Sequence, residues 1–314
     1  MRRERVMGIL ILLLFLTSVV VGASRLIKSP AITPSRFPTP GRGSLAIVTI
    51  YGPIGIKDTS LFPFAPRGVD YIVQRLEELS RYPQLKGIIL RINSPGGTVG
   101  GVQEIYTQIL KLKNKGVKVV SSLGEIATSG AYYIASASDL IVANPGTITG
   151  SIGVFVPITS LKGLFEKVGI KVEIIKSAKF KDIGSSSHLL TEEEKEILQS
   201  LVDNAHQQFI EVLKAGRKGK IKEEELEKIA DGRIMTGEQA KEMGLVDVLG
   251  NFQDAIQWAK DLAGIKGKPV IIKERRGWER FLVKLEEKWE GTPFYFLFRS
   301  PEPILEYRYY PQNL

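Results

Sequence analysis

Short apolar runs alternate along this chain with stretches in which apolar side chains recur every three or four residues. Leu45–Ile50 (LAIVTI), stopped by Gly52-Pro53, predicts a buried strand. Val69, Ile72, Val73, Leu76 and Leu79 then follow helical spacing, and Pro83 ends that helix. Gly87–Ile92 predicts a second strand, and Val102, Ile105, Tyr106, Ile109 and Leu112 an amphipathic helix closed by Gly116. Four more strands are predicted at Val117–Ser122, Asp139–Val142, Ile152–Val156 and Lys171–Ile175. Thr191 with Glu194 forms a capping box for a long helix to about Ala215, and further helices are expected over 222–263. Strands alternating with helices imply an α/β fold of βαβ units, largely parallel, with right-handed crossovers and a helical C-terminal part.

The ends break this pattern. Met7–Ala23 is free of charge and follows three arginines; as a helix it would reach about 25 Å, enough to cross a bilayer with slight thinning. A signal peptide cleaved after Val21-Gly22-Ala23 is the other reading, but the apolar core is longer than a usual signal core and favours an uncleaved anchor. The basic N-terminus then stays in the cytoplasm and the body lies outside the membrane. Residues 29–44, with four prolines, read as a semi-extended spacer. The expected organisation is therefore an anchor over 1–28, a linker over 29–44, a folded domain over 45–265, and an extension over 266–314.

Composition narrows the chemistry. The chain has no cysteine, which removes disulfides, thiolate metal sites and cysteine nucleophiles, and it has two histidines, His188 and His206. The net charge of +9 is concentrated in residues 1–28 and 266–314, so the body lacks the basic face expected of a nucleic-acid binder.

Three segments could carry chemistry. Asn93-Ser94-Pro95-Gly96-Gly97 ends the second strand, where parallel sheets place ligands; its glycines either make a tight turn or present backbone N–H groups to an anion. Ser129, in Ala127–Ser136, opens a helix of small residues; it is either an N-cap or a nucleophile with the Gly130 N–H facing a developing oxyanion. The third, Lys176–Gly184 (KSAKFKDIG), is either a solvated basic loop or the source of a lysine base, which burial would render neutral. A serine needs an adjacent base; His188 is the histidine candidate, and no S-x-x-K occurs, so a lysine base would have to come from a distant part of the sequence.

With NSPGG at 93–97, SGAYYIAS at 129–136, GTITGSIGV at 146–154, KSAKFKDIGS at 176–185 and DGRIMTGEQAKEMGLVDVLG at 231–250, the chain resembles the S49 family of signal peptide peptidase A in its short, single-copy form, over about residues 45–265. The resemblance implies a ClpP/crotonase-like α/β fold and a membrane-anchored serine endopeptidase with its catalytic domain on the extracytoplasmic side. It implies Ser129 as nucleophile and Lys181 as general base, with Lys176 and Lys179 close by, and Gly97 and Gly130 as oxyanion-hole amides. No cofactor or metal is implied. The expected substrates are hydrophobic peptides, chiefly cleaved signal peptides, and the expected assembly is an octameric ring in which the lysine comes from a neighbouring protomer. A crotonase-like acyl-group enzyme and a non-catalytic membrane scaffold are the alternatives. The segment 266–314, with PEPILEYRYYPQNL at its end, packs on a neighbour, lies at the membrane interface, or enters a substrate cleft.

Overall fold

Strand β1 (Ser44–Tyr51) buries Leu45, Ala46, Val48 and Ile50 on its two faces, as its β-branched run predicts. The computed structural model describes residues 43–55, 68–272 and 306–308, which belong to one compact unit, Arg42–Leu314. Helix α1 (Val69–Leu79) buries Val69, Ile72, Leu76 and Leu79, the helical stripe read from sequence, and stops before Pro83. β2 (Leu85–Ser94), the short β3 (Gly96–Thr98), α2 (Val99–Asn114) and β4 (Lys118–Thr128) follow. Then come α3 (Gly130–Ala135), β5 (Leu140–Ala143), β6 (Ile148–Gly150), α4 (Lys162–Lys167) and the long α5 (Glu192–Gly216). Short elements complete the domain: α6 (Leu226–Ile229), β7 (Ile234–Thr236), α7 (Gly237–Glu242), β8 (Val248–Leu249), α8 (Phe252–Leu262) and β9 (Val270–Ile272). β10 (Glu306–Arg308) lies far along the chain.

The sheet order is β7-β6-β4-β2-β1-β9, with β5 also on β4 and β8 on β5. All pairings are parallel except β6–β7, giving a mixed α/β fold with a parallel-rich sheet. On the edge away from β2, β4 serves two neighbours: Val120–Leu123 pairs with β5 and Ile126–Thr128 with β6. One sheet face, with Val48, Ile88, Leu90 and Val119, shares a core with α1, α2, α3 and α5. The other, with Leu45, Ile89, Val120 and Val142, is covered by Ala255 and Ala259 of α8. Burial on both faces explains why these strands read as continuous apolar runs.

Two predicted strands are corrected. Ile152–Val156 is not a strand; the ladder forms earlier, at β6, where the end of β4 offers an edge. Lys171–Ile175 is irregular with exposed side chains, Ile175 fully so, because no strand among the described residues lies beside it to complete a ladder. The capping box at Thr191 and Glu194 is present, with the Thr191 side chain accepting from the Glu194 N–H. Residues 222–263 hold short helices interrupted by β7 and β8 rather than helices alone. Met7–Ala23 and nearly all of the extension lie outside the described residues. Among the described residues, no helix is long and apolar enough to cross a membrane.

The C-terminal end of α5 is held by a buried cation. Arg217, 1% exposed, donates to both oxygens of Asp247 at 2.9 Å and to the Gly244 carbonyl. Asp247 also accepts from Lys220 and from the Ile141 N–H of β5. Burial pushes the Asp247 carboxyl up, but the bonds from Arg217 and Lys220 outweigh it and hold the group below its ordinary value. A depressed carboxyl contributes its full stability above the unfolded value of about 4 and loses it as pH falls through the folded value. Asp247→Asn leaves the guanidinium buried without its counter-charge and is expected to cost about 3–5 kcal/mol. Thermal unfolding against pH checks this: the wild-type advantage should be large at pH 7 and shrink toward pH 3.

Candidate active site

Two strand ends carry the sequence-predicted residues, and one side chain sets their relation. Between Ile92↔Leu123 and Ser94↔Ala127, β2 advances two residues while β4 advances four, so β4 bulges at Gly124–Ile126. Asn93 Oδ1 accepts from the Glu125 N–H at 2.9 Å and the Ile126 N–H at 3.1 Å, satisfying the bulge. Thr147 Oγ1 donates to the Gly124 carbonyl at 2.6 Å. Asn93 is thus a fastener between strands, a role its place in the NSPGG motif did not disclose.

Beyond Asn93, Ser94 Oγ accepts from the Gly96 N–H, and Gly96 takes a φ of 98°, open to glycine. Ile54 runs alongside: its N–H donates to the Gly96 carbonyl and its carbonyl accepts from the Thr98 N–H. A side chain on Gly97 would collide with the Ile54 carbonyl, so glycine is required there for close approach. In a trans peptide the Gly96 C=O and Gly97 N–H point in opposite directions. Since that carbonyl faces Ile54, the Gly97 N–H faces the other edge of β3.

Ser129 links β4 to α3 with φ 54° and ψ −119°, a conformation that disfavours any residue with a Cβ and costs on the order of 1–3 kcal/mol. It persists because its neighbours fix it from both sides. The Ser129 N–H donates to the Gly150 carbonyl at 2.8 Å, and the Ser129 carbonyl accepts from the Tyr133 N–H. β6 pairs Thr149 with Ala127 and Gly150 with Thr128, while the Ser151 N–H reaches the Arg233 carbonyl. The GTITGSIGV and DGR stretches therefore buttress this turn. Ser129 is 1% exposed, and its Oγ lies 3.5 Å from the Gly153 carbonyl. Gly130 sits in the first turn of α3, where N–H groups lack helical acceptors, and α3 packs against β3, so Ser129, Gly130 and Gly97 share one corner.

The lysines are elsewhere. Lys176 Nζ binds Asp182 Oδ1 at 2.6 Å, and Lys179 pairs with Glu193. Among the described residues Lys181 makes no ion pair, and it is exposed. No lysine of this chain contacts the Ser129 hydroxyl among the described residues. The Lys176 hydrogen bond holds the Asp182 carboxyl below its usual range. His188 Nδ1 donates to the Leu189 carbonyl at 3.0 Å, and its Nε2 lies 3.4 Å from Asp182 Oδ2 and 4.0 Å from Glu194 Oε1. These three side chains are spaced to hold a cation, yet Lys176 and Thr191 already engage the two carboxylates. The arrangement clamps the lysine loop to the N-terminus of α5. His188 is committed to that clamp and does not reach Ser129.

The chemistry on offer is a hydroxyl on a strained turn beside two backbone donors. Residues 111–266 match the profile of peptidase family S49. "Putative protease slr0021" of Synechocystis sp. is 50% identical over 188 residues, covering 60% of this chain and 66% of its own length. "Putative protease MJ0651" of Methanocaldococcus jannaschii is 36% identical, covering 69% of this chain and 70% of its own length. "Serine protease SPPA, chloroplastic" of Arabidopsis thaliana is 32% identical over 72% of this chain and 33% of its own length.

The strain at position 129 predicts an inverted substitution pattern. Glycine normally costs about 0.5–1 kcal/mol relative to alanine. Here Ser129→Gly relieves the positive φ, so its Tm should equal or exceed that of Ser129→Ala by calorimetry.

Proposed function

The chain belongs to the serine peptidases of family S49, and we propose that it is a membrane-anchored endopeptidase of hydrophobic peptides, chiefly cleaved signal peptides. The observation that carries the reading is the strained turn at Ser129, held beside Gly97 and Gly130. Backbone strain at a serine that opens a helix is retained where a hydroxyl must be presented to a substrate.

In this reading Ser129 Oγ attacks the peptide carbonyl while its proton passes to a neutral lysine amine. The carbonyl oxygen becomes an oxyanion received by the Gly97 and Gly130 N–H groups. Collapse breaks the C–N bond, the lysine ammonium returns its proton to the departing amine, and water then hydrolyses the acyl-serine. Lys181 is the base, supported by the engagement of Lys176 with Asp182 and of Lys179 with Glu193. It comes from a neighbouring protomer of a ring, octameric by the family resemblance. Two features support a second copy: among the described residues the Ser129 hydroxyl has no lysine partner, and Leu164, Val168, Ile170, Val172 and Ile175 are exposed before the lysine loop. We read the architecture as ClpP/crotonase-like and Met7–Ala23 as the anchor, which places the catalytic domain outside the cytoplasmic membrane.

Fluorophosphonate labelling of the wild type but not of Ser129→Ala is the expected outcome; labelling of neither ends the reading. Mixing inactive Ser129→Ala and Lys181→Ala chains tests the shared site. Rings reassembled from equal amounts should recover roughly a quarter of wild-type turnover, because one interface in four joins an intact serine to an intact lysine. A dyad within one chain would recover none.

A further inference from the structure

The loop that carries Lys181 has no regular structure of its own. Residues 176–184 form turns without strand or helix, so side-chain bonds decide where the lysine sits. Several of these bonds converge on His188. Its Nδ1 donates to the Leu189 carbonyl, an atom that can only accept, so that nitrogen carries a proton. Its Nε2 then faces Asp182 Oδ2 at 3.4 Å and Glu194 Oε1 at 4.0 Å. Both oxygens are left open by the other partners of their carboxylates. Lys176 takes Asp182 Oδ1, while the Thr191 N–H and hydroxyl take Glu194 Oε2.

A neutral ring with its proton on Nδ1 would aim the Nε2 lone pair at two carboxylate oxygens. That contact is repulsive, and the Glu194 side chain, 5% exposed, has little water to relieve it. A second proton on Nε2 turns the same geometry into one cation shared by two anions. The other charged groups near the ring, among the described residues, are already engaged. On the loop, the Lys176 hydrogen bond keeps the Asp182 carboxyl low and therefore ionised. On α5, Glu192 and Glu193 are paired with Lys195 and Lys179.

We propose that His188 is a positioning residue that works in its charged form: the imidazolium joins Asp182, the residue next to Lys181, to the first turn of α5 and so fixes the loop from which the base is delivered. The inference rests on the peptidase reading for its catalytic consequence and on geometry alone for the clamp. Two titrations then oppose each other. Lys181 must be neutral to accept the Ser129 proton, which favours higher pH. The clamp needs the imidazolium, and histidine is the side chain that gives up its charge as pH rises past neutrality. Turnover is thereby confined to a window, closed below by the lysine ammonium and above by loss of the clamp.

Three measurements test this. First, hydrogen exchange of residues 176–188, corrected for intrinsic rates, is followed by mass spectrometry in the full chain carrying Ser129→Ala. Protection should be several-fold greater at about pH 6 than at about pH 9. In the same chain with His188→Arg, whose guanidinium stays charged, it should be flat across that range. This readout needs no turnover, so it scores the clamp even if the peptidase reading fails. Second, Glu194→Gln removes a charge but keeps a side chain able to complete the capping box. It should lower the acid-side protection of 176–188 several-fold while the amides of α5 keep theirs. Third, kcat for a fluorogenic hydrophobic peptide is recorded against pH. The wild type should rise and then fall, and His188→Arg should keep the rise and lose the fall. His188→Ala should lose several-fold in kcat at the wild-type optimum with KM little changed. Equal protection on the acid and alkaline sides overturns the proposal, as does a wild-type curve with no alkaline fall or a fall that persists in His188→Arg. Loss of protection on adding EDTA on the acid side also overturns it, because the bridging cation would then be a metal ion and not a proton.

Discussion

Everything at the candidate site depends on keeping two strands of unequal contour in step. β2 and β4 run parallel, and each delivers its chemistry from its C-terminal end: Gly97 just after β2 and Ser129 just after β4. Without the extra residues in β4, Ser129 would leave the sheet at a different height from Gly97. Asn93 Oδ1 fixes that excess by accepting two bulge N–H groups, and Thr147 donates to the buried Gly124 carbonyl. One amide oxygen thereby couples the glycine-rich turn to the serine turn. The two halves of the site are parts of one ladder, not two loops that meet by chance.

The same ladder tolerates strain. A left-handed serine cannot hold itself; it is over-determined by the Gly150 carbonyl behind it, the Tyr133 N–H ahead of it, and the pairing of β6 with the end of β4. Farther out, the Arg217–Asp247 pair ties α5 to the ends of β5 and β8, which keeps the helical layer seated over that corner. The costs are local and the supports are distributed, so the turn is rigid without being intrinsically stable.

Elements set by local pattern were legible from the chain alone. β1, α1, β2, α2 and the capped start of α5 carry their periodicity, breakers or caps in sequence. The two- and three-residue strands β3, β6, β7, β8 and β9 were not, because so short a segment has no period and is a strand only by virtue of its neighbour. The alternation at 171–175 misled for the same reason in reverse: a strand-like pattern forms no ladder without an edge to join. At the site, Gly97 and Ser129 stood out as glycine-flanked turn residues. The φ of Ser129, the clamp formed by Asp182, His188 and Glu194, and the Arg217–Asp247 pair did not, since each is fixed by partners distant in sequence or by backbone geometry that a serine does not announce.

The aliphatic side chains at 164–175 have a further meaning for the life of the polypeptide. A newly made chain displays Leu164, Val168, Ile170, Val172 and Ile175 to solvent next to unladdered backbone, a combination that invites indiscriminate adhesion. Such a surface penalises solitude: left bare, an apolar stripe of this kind raises the risk of non-specific association.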